Sequence, residues 1–127
     1  MIEIVWQFVI KEGARGQFEL AYGPGGVYSR LFERCPGFRG TTVLRGTKNP
    51  QDYLTVDMWD TQAEWEQARV EHETEYADLE TTLAAWIASR AELGSFTVLA
   101  QATVRPRSKA GRSKSGETQR SNRRSTR

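Results

Sequence analysis

The chain has 127 residues, enough for one domain with a real core and too few for two. Its single Cys and single His exclude an intramolecular disulfide, and they exclude a zinc site built from three or four Cys and His ligands of one chain. The net charge of +2 joins two opposite parts: residues 1–100 carry 9 Lys and Arg against 15 Asp and Glu, a balance of −6, while residues 101–127 carry 9 basic groups against Glu117 alone, a balance of +8.

From Arg105 onward the sequence is dominated by Arg, Lys, Ser, Thr and Gly. Such a segment buries too little apolar surface to offset the entropy of ordering. A folded domain of residues 1–102 followed by a disordered basic tail of residues 103–127 is therefore expected. The tail has no aromatic residue and no folded recognition motif. Nucleic-acid contact through it would be weak, sequence-independent attraction to phosphate, and a plain solvated extension is the alternative reading. The opening run MIEIVWQFVI carries Glu3 and lacks a basic start. It is too short for a membrane span and unlike a secretory signal, so a soluble cytoplasmic protein without membrane contact is expected.

In chain order, Ile2, Ile4, Trp6, Phe8 and Ile10 alternate with Glu3, Val5, Gln7 and Val9, a first, central strand with one apolar and one mixed face. Ala14 to Tyr22 has helical composition, Gly23-Pro24-Gly25-Gly26 breaks it, and Val27 to Cys35 resumes it until Pro36 and Gly37. Phe38 to Arg45 reads as a second strand, and Gly46 to Gln51 as the hairpin loop into a third, Tyr53 to Trp59. Asp60 and Thr61 then offer N-cap oxygens, and Thr61 with Glu64 forms a capping box that opens one long helix. At about 100° per residue, Trp65, Ala68, His72, Tyr76, Leu79, Leu83, Trp86 and Ile87 share one face of that helix. Gly94 stands as its C-cap, and Phe96, Val98 and Ala100 mark a fourth strand.

This order predicts an α+β domain of ferredoxin-like βαββαβ topology, an antiparallel sheet with both helices on one face. The other face exposes several of Val5, Val9, Val43, Leu54, Val56, Met58 and Leu99, too apolar for a monomer, so a homodimer formed sheet to sheet is expected.

A set of local motifs then carries a family likeness. Phe18-Glu19 with Tyr22-Gly23-Pro24, Pro36-Gly37-Phe38 with Gly40-Thr41, Tyr53-Leu54-Thr55 with Asp57 and Trp59, His72 with Tyr76 and Leu79, and Leu93-Gly94 with Phe96 follow one another in the chain. In this order, over roughly residues 2–100, they resemble the antibiotic biosynthesis monooxygenase domain of the dimeric α/β-barrel proteins. The resemblance implies a dimer with a pocket between sheet and helices. It also implies oxidation of a quinol- or anthrone-like aromatic compound by O2 without metal or other cofactor. A noncatalytic small-ligand or interaction domain on the same dimeric scaffold is the competing reading. The haem-degrading branch uses an Asn in the first strand, where this chain has Gln7, and its Trp and His spacing is not that of Trp65 and His72, which disfavours haem degradation.

Within that framework His72 is the one side chain whose ordinary pKa near about 6.5 suits a general base at neutral pH. His72 as base with Tyr76 as its partner in holding an oxyanion is one expectation; His72 as a packed core residue is the other. Trp65, Trp59 and Tyr28 are the expected substrate wall, again against a plain packing role. Asp57 shares a strand face with Trp59 and is a possible orienting group for His72. Cys35 at a helix C-terminus is disfavoured as a nucleophile. No metal site is expected, since His72-Glu73-Thr74-Glu75-Tyr76 lacks the second His of a zinc helix.

Overall fold

The strand β1, Ile2–Ile10, takes a partner along each of its edges. In the computed structural model, which describes residues 1–99, β3 (Asp52–Trp59) pairs with one edge and β4 (Ile87–Thr97) with the other, while β2 (Phe38–Arg45) flanks β3. All pairings are antiparallel, and the order across the sheet is β2-β3-β1-β4. A short 3-10 turn, Glu12–Ala14, leads into α1 (Arg15–Tyr22); α2 (Val27–Phe32), α3 (Gln62–Glu71) and α4 (Glu73–Ala84) complete the helical layer. The expected ferredoxin-like α+β architecture is thus the observed one. The expected tail, residues 103–127, and the boundary at Ala102 lie outside the described residues. Among the described residues, no helix is long and apolar enough to cross a membrane.

The period of two decides which side chains form the core. Ile4, Phe8 and Ile10 of β1 and Tyr53, Thr55 and Trp59 of β3 point under the helices and are buried. Phe18, Ala21 and Tyr22 of α1, Tyr28 and Phe32 of α2, Ala68 of α3 and Leu83 of α4 close over them. Aromatic rings fill most of this space: Phe18 lies 4.8 Å from both Tyr22 and Tyr53, and Trp59 lies 5.6 Å from Trp65, separations at which offset and tilted pairs attract.

Three local expectations need correction. The long helix is two helices, for His72 adopts φ −115 and ψ 31 between α3 and α4. No Pro or Gly forces that break. In an unbroken helix Glu71 and Glu75 would repel as an i,i+4 pair, whereas the break gives Glu73 and Glu75 a fresh helix N-terminus, where negative charge is favoured. The last strand begins at Ile87, well before Phe96, so Trp86 and Ile87 leave the helical face and Gly94, at φ +141, is a bulge residue inside β4 and not a helix cap. Val43 pairs with Thr55 and therefore faces the helices; Leu44 takes its place on the open side.

At the start of α3, the Thr61 hydroxyl oxygen accepts from the Glu64 N–H at 3.1 Å and donates to the Glu64 carboxylate at 3.0 Å. The cap therefore satisfies one backbone donor, not the two of a full capping box. Gly37 sits against the same Glu64 with φ +88, and a Cβ added there would collide with that side chain. Gly37→Ala is expected to lower stability by about 1–2 kcal/mol at an unchanged m-value, read by chemical denaturation. An unaltered midpoint would remove the argument from backbone strain.

Candidate functional site

Asp57 is the one carboxylate among the helix-facing residues of β3, between the buried Thr55 and Trp59. Its register partner on β2 is Thr41, whose hydroxyl donates to Asp57 Oδ1 at 2.6 Å. That is the one donor to the carboxylate among the described residues. Withdrawal from water pushes the Asp57 pKa up to about 6, and the Thr41 bond only partly opposes this. At neutral pH the group is a carboxylate in an environment that makes it a stronger base than an ordinary aspartate.

Asp57 opens into a cavity walled by rings. Trp6 and Phe8 come from β1, Phe32 from α2, and Trp65 from the middle of α3. Tyrosines supply the polar edge: Tyr22 ends α1, Tyr28 begins α2 and Tyr76 lies one turn after His72 in α4. Tyr22 and Tyr28 stack at 4.3 Å, and Tyr76 stands edge-on to Tyr28 at 6.5 Å. Desolvation followed by the negative charge of Glu80 raises the Tyr76 pKa to about 12, and burial raises those of Tyr22 and Tyr28 further still. All three remain neutral hydroxyls able to donate a hydrogen bond.

The remaining wall is cationic. Arg90 of β4 reaches back over the cavity with its guanidinium carbon 5.3 Å from the Trp6 ring centroid. Glu80 of α4 fixes it: Arg90 Nη1 donates to Glu80 Oε1 at 2.6 Å while the Tyr28 hydroxyl donates to Glu80 Oε2 at 3.3 Å. One carboxylate thus ties α2, α4 and β4 together around the cavity. The rest of the guanidinium has no acceptor among the described residues, so it is available to a ligand oxygen. The free volume is about 20 Å³, room for about one water, so an aromatic guest enters only when the wall shifts. The break at Gly23–Gly26, where Gly25 has φ +73, and the break at His72 are the two interruptions in the helical wall.

Of the expected site residues, the structure brings Tyr28, Trp65 and Tyr76 together on the cavity wall. Trp59 is fully buried behind them, packed on Phe32, Phe38 and Trp65, and does not line the cavity. His72 does not line it either: it stands at the α3/α4 junction with Nδ1 3.6 Å from Glu75 Oε2. Asp57 contacts Thr41, not His72. Cys35 is buried, and desolvation raises its pKa, in keeping with a poor nucleophile. Arg90 and Glu80 carry no signal in the sequence, and Thr41 stands there only as part of the Gly40-Thr41 motif. For Asp57 a signal was present, because a carboxylate in the apolar phase of a central strand is as anomalous as a histidine on an apolar helix face. Among the described residues, no three His, Cys, Asp or Glu side chains cluster closely enough to hold a metal ion.

Comparison with known proteins follows the same lines. The family model for antibiotic biosynthesis monooxygenase matches residues 1–74. Among solved structures, the chain is similar to a point variant of SnoaB, a cofactor-independent oxygenase from Streptomyces nogalater. Identity there is 23%, covering 79% of this chain and 94% of that one, with a TM-score of 0.67. It is similar to a candidate antibiotic biosynthesis monooxygenase from Nitrosomonas europaea at 15% identity, covering 79% and 100% of the two chains, with a TM-score of 0.61. A third, from Deinococcus radiodurans, has 10% identity over 84% and 100% of the chains and a TM-score of 0.63. No curated protein sequence matches. At these identities the solved structures speak for the fold, and the family rests on the sequence model.

Proposed function

We propose, from the premise that this chain belongs to the antibiotic biosynthesis monooxygenase family, that it oxidises an aromatic quinol- or anthrone-like compound with O2 and without a bound cofactor. The observation that carries the proposal is the Asp57 carboxylate, raised to about 6, facing a cavity of aromatic rings with Arg90 on its rim. Family likeness to the cofactor-independent SnoaB supports the same direction.

The hard step for such a reaction is to give O2 an electron-rich partner. Asp57 accepts a proton from the ring CH2 of an anthrone, or from the hydroxyl of a quinol, and leaves the electron pair on the substrate. Arg90 and the neutral Tyr76 hydroxyl hold the oxygen on which negative charge gathers, and such stabilisation is worth most where water is excluded. Electron transfer to O2 and bond formation at carbon follow, and loss of water closes the balance: in an anthrone one CH2 and one O2 become one C=O and one H2O, and one quinol with one O2 becomes one hydroxyquinone and one H2O. Trp6, Trp65 and Phe32 hold the ring plane. The proton on Asp57 leaves with the water formed.

We infer in addition that two copies meet through the open face of the sheet. Val5, Val9, Leu54, Val56 and Met58 lie on that face, joined by Leu44 and Phe96 at 47% and 52% exposure, a surface larger than lone apolar residues would make.

The test is O2 uptake by the full chain with a panel of hydroquinones and anthrones, with metals chelated. Uptake coupled to quinone formation supports the oxygenase; ligand binding without uptake across the panel turns the reading to the noncatalytic one. The same assay on His72→Ala separates the two candidate bases. With Asp57 as base, His72→Ala keeps the rate within about threefold, whereas a loss of about 10²-fold or more would move the proton acceptor to His72.

A further inference from the structure

Outside the cavity, Tyr76 has a second face. Together with Arg69, Val70, Glu73 and Ala77 it lines an open groove of about 320 Å³ along α3 and α4. Tyr76 is therefore the partition between the inner cavity and this outer groove, and it is the one side chain the two share.

Arg69 marks the groove chemically. Arg15, Arg39, Arg45 and Arg90 each have a carboxylate within 4.0 Å, whereas Arg69, like Arg30 and Arg34, has none among the described residues. Its guanidinium lies over two rings instead, 4.8 Å from the Trp65 centroid and 4.4 Å from that of Tyr76. Both rings also wall the inner cavity. A cation stacked on aromatic faces keeps its in-plane N–H donors free, and a carboxylate is the acceptor their fork fits best. Inside the cavity Arg90 and Glu80 are already paired, and the Asp57 carboxylate adds a negative charge whose one donor among the described residues is the neutral Thr41 hydroxyl. A permanent carboxylate is therefore better matched by Arg69 outside, and Arg90 is left to the reacting oxygen.

We propose that the outer groove is a second subsite, in which Arg69 binds an ionised carboxylate at the non-reacting end of the aromatic substrate. This rests on the oxygenase reading for the identity of the reacting end, but the subsite itself is a matter of binding. A substrate of this kind spans the Tyr76 partition: its reacting ring lies against Asp57 and its carboxylate lies against Arg69. Glu73, which also lines the groove, disfavours a second negative charge and sets the preference for a monoanion.

The experiment uses the full chain without O2, so that binding is read apart from turnover. Anthrone and an anthrone carboxylic acid are titrated while quenching of tryptophan fluorescence is followed. Arg69 is exposed, so Arg69→Gln and Arg69→Lys are expected to fold. In Arg69→Gln the Kd of the acid is expected to rise about tenfold, the loss of one charge-assisted contact, while that of anthrone changes less than twofold. Arg69→Lys should recover part of the loss, and added salt should weaken the acid alone. Equal changes for the two ligands, no change for either, or failure of the parent protein to bind the acid would overturn the subsite. Arg69-dependent binding of the acid with no O2 uptake once air is admitted would overturn the oxygenase reading and leave the subsite standing. Uptake with anthrone and no Arg69 dependence would do the reverse.

Discussion

Asp57→Asn is expected to slow O2-dependent turnover by about 10²- to 10⁴-fold, the range for loss of a positioned general base, and at the same time to stabilise the protein. The two effects have one origin. Folding raises the carboxyl pKa from 3.8 to about 6, so the folded state prefers the proton. That preference adds stability which is fully present below the unfolded pKa and is lost as pH rises through about 6. At neutral pH the carboxylate thus destabilises the fold, by about 1–3 kcal/mol on the rule that one pKa unit is about 1.4 kcal/mol. Asparagine keeps the acceptor for the Thr41 hydroxyl without carrying the charge. Denaturation midpoints should therefore rise in Asp57→Asn above pH 7 and converge with the parent near pH 4. Turnover of the parent should climb with pH through about 6, since only the ionised form accepts a proton. A stabilised variant with undiminished turnover would show that Asp57 is strained for some other purpose, and a destabilised one would show that the carboxylate is satisfied where it stands.

Val56→Lys is expected to convert a dimer into a monomer at micromolar concentration. Val56 pairs with Val5 near the middle of the open sheet face, so a twofold axis through that face would bring the new lysines of both copies into the contact. An ammonium buried without a partner costs several kcal/mol, and symmetry counts it twice, so a dissociation constant raised by about 10³-fold or more is expected. Light scattering reads the mass directly. A parent protein that is already monomeric would sink the proposed dimer, and a Val56→Lys dimer of parental affinity would move the interface to another surface. Because the dimer covers apolar area, the melting temperature should also become concentration-dependent in the parent and lose that dependence in the variant.

The parts of this structure that could be read from the chain are those whose cause is local. Alternation from Ile2 to Ile10 and from Tyr53 to Trp59 survives folding, because each strand has one dry face and the period of two has no rival interpretation. The Gly23–Gly26 break and the Gly37 turn were visible as chemistry that a helix does not tolerate. The errors came where a distant partner decides. Ala88, Arg90, Ala91, Glu92 and Leu93 are strong helix formers, yet they become strand because the second edge of β1 would otherwise leave a row of backbone donors and acceptors unpaired. That one change carries Arg90 from a supposed helix end to the rim of the cavity. The phase that puts His72 on the wall requires a continuous helix, and a single non-helical residue is enough to take the imidazole off it. Asp57 is legible in position, but its raised pKa is not, because that comes from burial under a helical roof, which spacing alone does not supply.

The sheet also has two outer margins, β2 and β4, and both are irregular at a glycine. Gly40 and Gly94 each have φ +141, and the pairing register slips between Phe38 and Gly40 on one margin and between Val5 and Trp6, opposite Gly94, on the other. Arg39 and Arg45 of β2 are turned into ion pairs with Asp60 and Glu19 beside their own strand. A margin with a kinked ladder and charged neighbours makes a poor template for another chain to extend the sheet sideways. Such margins disfavour association in the direction that never closes, which agrees with the proposal that two copies meet through the flat side. On the proposed dimer, the glycines at the margins would act on the size of the particle: they favour a finite object over a growing ribbon, although neither lines the cavity.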